Sequence, residues 1–230
     1  LQSLVRQRAA TRLEIIVCLN ACTDKTEEVI ARFAQQNGVE IKLVHEPLKG
    51  VARARQRAFA QARGEIILSA DADTEYPPDW VSKIIADFRR EPGTVLVYGP
   101  VRFSLSSSSG GQRLLLRYLY PLIDLLVAQL GRFIGRPNVC GANFAVRREA
   151  FWQAGGFNLT LKVFEDSDLA LHMRRGRRIY YDSQLIVHTS ARRYNRYGFY
   201  MALAYYALSY LKAFILRRAP GGFQDVRAPQ

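Results

Sequence analysis

Three cysteines in 230 residues, Cys18, Cys22 and Cys140, are too few and too irregularly spaced for a disulfide framework or a zinc site. A reducing, cytosol-facing environment is the simplest expectation. Acidic residues are also scarce, 20 against 33 Lys and Arg, which leaves a formal charge of +13. Such a balance favours anionic partners: nucleotide phosphates, nucleic acid or anionic lipid. No aromatic–basic RNA-binding motif is present, so nucleic acid is not the expected partner. No signal-peptide pattern opens the chain. The two most apolar stretches, around 112–134 and 197–218, are both interrupted by charge, which argues against a simple membrane span.

What the chain does have is alternation. Leu1–Ala10 carries apolar residues at helical spacing, and Glu14–Leu19 is an apolar run of strand length. A helix to about Gln36 follows, stopped by Asn37-Gly38, with Asp24 or Thr23 placed to cap it and Glu27 three residues after Asp24. Val39–His45 reads as strand, Lys49–Arg63 as helix, Glu65–Ala70 as strand, Trp80–Arg90 as helix and Thr94–Tyr98 as strand. This order predicts an α/β fold with a mostly parallel sheet and right-handed crossovers. Loops around 20–24, 46–50 and 71–78 would then line one crevice at the strand carboxyl ends.

Asp71 and Asp73 stand at the end of the 65–70 strand. One residue apart in extended backbone, they would point the same way. Two hard oxygen ligands there suit Mg²⁺ or Mn²⁺ carrying substrate phosphates. The motif is short, and a pair of solvated loop aspartates would look the same. Farther on come Val139–Val146 with Gly141 and Asn143, a short helix 147–152 ended by Gly155-Gly156-Phe157, and Glu165-Asp166 opening a helix to about Arg175. Acids in a first helical turn can simply complement the helix dipole.

The series as a whole is more specific than its parts. It comprises Glu14–Thr26 ending in Thr-Asp-Lys-Thr, Lys49-Gly50 with Arg55 and Ala-Arg-Gly64, and Asp71-Ala-Asp73. Gly141-Ala-Asn143 with Gly155-Gly-Phe157, Glu165-Asp166 and Val187-His188 complete it. In this order it resembles the family 2 glycosyltransferases, nucleotide-sugar-dependent enzymes of the GT-A fold. That resemblance implies a Rossmann-like sheet with flanking helices and a C-terminal apolar helix. It implies a UDP- or GDP-sugar donor, a Mn²⁺ or Mg²⁺ cofactor, and a glycan or lipid-linked acceptor. By the same resemblance Asp73 ligates the metal on the donor diphosphate, with Asp71 beside it facing the ribose or the metal. Asn20, Asp24, Lys49 and Arg55 fall on the nucleotide side, and Gly141, Asn143 and Gly156 on the acceptor side. Asp166 resembles the general base, with Glu165 supporting it. His188 matches a strand-end position that helps hold metal or diphosphate in some relatives, and otherwise reads as an ordinary surface histidine.

The chain also departs from the family pattern. The opening strand, with its Pro-x-x-Asn-Glu-like segment, is absent, and Leu1-Gln-Ser-Leu4 resembles the helix that should follow it. Leu19-Asn20 stands where acidic residues usually contact the nucleotide, and Gln56 replaces a common Asn. The expected organisation is an N-terminally truncated catalytic domain over 1–192, divided into a donor half 1–105, an apolar helical insert 112–134 and an acceptor half 137–192. A helix over 193–218, interfacial, packed or spanning, and a disordered tail 219–230 would follow.

In the insert, Arg113, Arg117 and Asp124 fall in a narrow arc and leave a wide apolar face, open to packing or to a membrane interface. Pro121 should kink that helix or split it. The expected location is peripheral, on the cytoplasmic face of a membrane with anionic lipid. A non-catalytic basic binding module on a degenerate fold is the competing function class. The joint presence of Asp71, Asp73 and Asp166 favours the enzyme.

Overall fold

The computed structural model describes residues 1–9, 11–104, 110–192 and a few scattered positions between Tyr194 and Leu208. The segment expected to form the C-terminal helix and tail lies outside the described residues, apart from those positions. After α1 (Gln2–Val5) come β1 (Ile15–Asn20), α2 (Thr26–Asn37), β2 (Ile41–Glu46) and α3 (Val51–Phe59). β1 and β2 pair in parallel from Ile15↔Ile41 to Asn20↔Glu46. Their carboxyl ends are therefore level, and the following loops open on one side.

The centre of the molecule is built from β3 (Ile66–Ser69), β4 (Thr74–Glu75), α4 (Trp80–Arg90), β5 (Thr94–Tyr98) and β6 (Val101–Ser104). Then follow α5 (Gly110–Leu114), a π-helical turn (Leu115–Leu119) and α6 (Tyr120–Phe133). β7 (Phe144–Arg147), α7 (Arg148–Gln153), α8 (Glu165–Met173), β8 (Arg178–Tyr181) and β9 (Val187–Ser190) complete the order. The central sheet runs β3-β7-β5-β8, and a smaller one runs β4-β9-β6.

β7 is antiparallel to both of its neighbours, whereas β5 and β8 are parallel. The sheet is thus mixed, with β3, β5 and β8 pointing one way. The cause is the excursion between β6 and β7. The chain returns to the sheet beside Ser69, at the carboxyl end of β3, and can only run back against it.

Each face of the central sheet carries its own core. Leu96 and Tyr98 of β5, with Phe144 and Val146 of β7, turn toward Phe59, Phe151, Phe157 and Leu169. Val97 and Ala145, one residue out of phase, turn toward Trp80, Ile84, Phe88 and Leu185. All five residues of β5 are buried, as expected for a strand covered on both faces. Phe59 meets the Phe151 and Phe157 rings at 5.1 and 5.2 Å, which locks α3 against α7 and the loop after it.

Several expected boundaries shift. The first helix is four residues long, and α3 starts and ends inside its expected range. Gly110-Gly111, just outside the expected insert, open α5. Pro121 does not split the insert. The π-helical turn just before it widens the helix where Pro121 offers no N–H to Arg117, so the helix continues from 110 to 133. Among the described residues no helix is long and apolar enough to cross a membrane.

Candidate active site

β3 ends at Ser69, and the next residues enter a tight turn at the mouth of the crevice. Tyr76 fixes this turn. Its buried hydroxyl accepts a hydrogen bond from the Asp71 N–H at 2.9 Å and donates to the Ala142 carbonyl at 3.0 Å. Its ring lies 4.3 Å from that of Trp80. The Ser69 hydroxyl donates to the Gly141 carbonyl at 2.6 Å, so the 140–143 loop is tied to the same strand end. Asp73 is held from the smaller sheet, where Thr189 of β9 meets Thr74 of β4. Arg192 donates to Asp73 Oδ2 at 2.7 Å.

Arg55 is the hub. It rises from α3 with its side chain only 12% exposed, donates to Asp71 Oδ1 at 2.8 Å, and ion-pairs with Glu165 through its other terminal nitrogen. A Cβ on Gly141 would overlap the Arg55 guanidinium, so a side chain there would push Arg55 off its carboxylates. Burial works against the Arg55 charge, but Asp71, Glu165 and Asp166 outweigh it and hold the guanidinium firmly protonated. Residues 16 and 110 positions away thus share one cation.

Glu165 and Asp166 are buried at the first turn of α8. Phe164, just before them, has φ 62°, and Ala21 in the loop after β1 has φ 47°. Of these two non-glycine residues in the left-handed region, among those described, Ala21 sits in a loop that the parallel-strand argument assigns to the crevice, and Phe164 immediately precedes the two buried acids. The Asp166 carboxylate accepts from the Ser167 N–H at 2.8 Å. Burial and the neighbouring Glu165 push its pKa up to about 7, against the opposing pull of Arg55 and the backbone donors. Asp166 is a carboxylate poised to exchange a proton near neutrality.

The structure therefore brings together Arg55, Asp71, Glu165, Asp166 and Gly141, with Asp73 two residues beyond Asp71. Several other expected positions also brace their own loops. Asn20 spends its amide on the 46–50 loop, donating to the Glu46 and Leu48 carbonyls and accepting from the Gly50 N–H. Asp24 accepts from the Thr26 N–H at the start of α2 and is exposed, as is Lys49.

Asn143 is fully buried rather than on an acceptor surface. It accepts from the Trp80 indole and donates to the Pro100 and Leu185 carbonyls, at 2.8, 3.0 and 2.6 Å. Gly156, at φ 73°, lies against Gln56, whose carbonyl accepts from the Phe157 N–H. His188 is exposed and pairs with Glu75 across β4–β9. Thr189 faces Thr74 and Asp73, so strand alternation turns His188 to the other face. It does not join the two aspartates. Tyr76, Ser69 and Arg192 were not singled out from sequence. The aromatic pair Tyr76 and Trp80, placed straight after the carboxylates, was the available signal for the first.

Among the described residues no group of three His, Cys, Asp or Glu could hold a metal by itself. Asp71 and Asp73 are instead partly exposed carboxylates, with side chains 38% and 35% accessible, and each already faces a guanidinium. One or two carboxylates that leave the remaining positions to phosphates and water are the usual protein share of a Mg²⁺ or Mn²⁺ site. The residues fit such an ion when substrate completes it.

Residues 1–155 match the sequence pattern described as Glycosyl transferase family 2. The chain belongs to that family. Among family relatives, the probable glycosyltransferase YdaM of Bacillus subtilis is 25% identical over 169 residues, which is 70% of this chain and 39% of that protein. Two solved structures share the fold. The mannosyltransferase PcManGT from Pyrobaculum calidifontis, in complex with GDP-Man and Mn²⁺, matches with a TM-score of 0.70 at 21% identity. That match covers 99% of this chain and 60% of the other. TarS 1–349 of S. aureus, in complex with UDP, matches at 0.60 and 16% identity, over 85% and 56%. The fold of this family 2 chain is that of the GT-A glycosyltransferases. It spans less than two thirds of the length of each of these proteins.

Proposed function

We propose that this chain transfers a sugar from a UDP- or GDP-sugar to a hydroxyl acceptor, with inversion at the anomeric carbon. The observation that carries the reading is Arg55. It joins Asp71, on the donor side, to Glu165, beside a carboxylate whose pKa of about 7 suits a general base. Family membership and the nucleotides bound by the structural neighbours support the donor class.

In this reading Asp166 takes the proton of the attacking hydroxyl. The acceptor oxygen bonds to the anomeric carbon as the bond to the diphosphate oxygen breaks, and the nucleoside diphosphate leaves with that electron pair. Glu165, neutralised by Arg55, keeps its own charge from pushing the Asp166 pKa still higher. Asp73, with Asp71 beside it, would hold a Mn²⁺ or Mg²⁺ ion, which neutralises charge on the leaving diphosphate. The strongly basic charge supports work at an anionic membrane surface, on the cytoplasmic face, with a glycan or lipid-linked acceptor of the cell envelope.

The test is a calorimetric titration of UDP and GDP with Mn²⁺ into the protein and its Asp73→Asn variant. The variant should lose metal-dependent affinity while staying folded. Unchanged metal-dependent affinity would overturn the donor-side assignment.

A further inference from the structure

The helix from α5 through α6 is turned inside out for a helix on a soluble surface. Its inward side carries Leu116, Ala128, Gly131 and Asp124, the last paired with Arg102 at 2.9 Å. Its outward side carries Leu114, Tyr118, Leu122, Leu126, Leu130 and Phe133, and Phe133 is 90% exposed. An ordinary surface helix puts the large apolar residues toward the core and the polar ones toward water. Here Leu115, Leu116 and Tyr120 pack inward at one end, the rest of the inward side is small residues and one ion pair, and most of the leucines face out. The band runs for about 28 Å, the length of 19 helical residues.

The charges at its border bear on what could cover it. Arg113, Arg117 and Arg132 are exposed beside Leu114, Tyr118 and Phe133, and no acidic residue occupies an exposed position from 113 to 134. A second copy docked on this face by a twofold axis would set the same band against itself and crowd like charges. A bilayer with anionic headgroups supplies both an apolar layer for the leucines and a countercharge for the arginines.

We infer that the outward face of α5–α6 is the surface by which this chain lies on an anionic membrane, its axis in the plane of the headgroups. The inference rests on the membrane part of the function proposed above and gives it a location. The loop that leaves α6 carries Cys140 and Gly141 to Arg55, so the docked helix leads straight to the reacting centre. An acceptor anchored in the lipid would reach the crevice without leaving the surface.

The experiment is co-sedimentation of the full chain with vesicles of phosphatidylcholine alone or mixed with phosphatidylglycerol. The wild type should sediment with the anionic vesicles and be released by high salt. The triple variant Leu122→Ser, Leu126→Ser, Phe133→Ser should lose about tenfold in partitioning. Its circular dichroism and metal-dependent nucleotide affinity should not change. Because such a variant can also misfold, Leu126→Trp in brominated lipid gives a second reading: the introduced indole should shift to the blue and be quenched.

Three results would overturn the inference: sedimentation of the triple variant like wild type, an unquenched indole on vesicle-bound protein, or no vesicle binding by the wild type. A wild-type dimer made monomeric by the triple variant, with no vesicle binding, would assign the face to a second copy instead. Nucleotide binding that fails while vesicle binding follows the band would sink the catalytic reading and leave this one standing.

Discussion

At Arg55 one guanidinium neutralises carboxylates from both sides of the crevice, and the consequences of removing it have a definite direction. Arg55→Ala leaves Glu165, its side chain only 4% exposed, as an uncompensated buried charge beside Asp166. Loss of a partner from a buried pair typically costs about 3–5 kcal/mol, and urea denaturation should show a destabilisation of that order. A loss below about 0.5 kcal/mol, the scale of an ordinary surface substitution, would mean the pair is not formed.

The same charge pulls the Asp166 pKa down against burial and Glu165. A base must be ionised to accept a proton, so kcat/KM should rise about tenfold per pH unit below pH 7 and level off above it. Arg55→Lys keeps a charge but not the two-pronged geometry, and should move the inflection to higher pH. A profile flat from pH 5.5 to 8.5 would remove Asp166 from the proton transfer.

At the scale of elements, the turn after β3 depends on a bridge rather than on its own backbone. Tyr76→Phe removes the hydroxyl between the Asp71 N–H and the Ala142 carbonyl and leaves both without that partner. A melt should show about 1–3 kcal/mol of lost stability, with weaker nucleotide binding as the Asp71–Asp73 turn loosens. Wild-type nucleotide affinity in a folded variant would show the turn to be set otherwise.

The strand–helix order was legible in sequence because local periodicity and caps report it. So was the placing of Asp71 and Asp73 after a strand and of Glu165 and Asp166 at the head of a helix. The reversed direction of β7 was not, because it follows from where the chain re-enters the sheet. Nor was the pairing of Arg55 with Glu165 across 110 residues, since a lone arginine on a helix carries no mark of its partner. Asn143, expected on the acceptor side, is a buried scaffold amide, and Asn20, expected on the nucleotide side, also ties the 46–50 loop. An amide side chain that ties loops together has the same sequence signature as one that binds substrate.

For the molecule as a whole, a mixed sheet with a core on each face sets α3, the carboxyl end of β3 and the heads of β7 and α8 at one end. Substrate charge would meet protein charge there. The central claim is that Asp166 is the base that completes this arrangement, and one comparison tests it most directly. Single-turnover rates and donor affinities should be measured for wild type, Asp166→Asn and Glu165→Gln, with the donor that calorimetry identifies. Asp166→Asn keeps the shape but accepts no proton. Transfer should fall by about 10²–10⁴-fold with donor affinity preserved, while Glu165→Gln should lose much less. Near-wild-type transfer by Asp166→Asn, or a dead Glu165→Gln beside an active Asp166→Asn, would contradict the account.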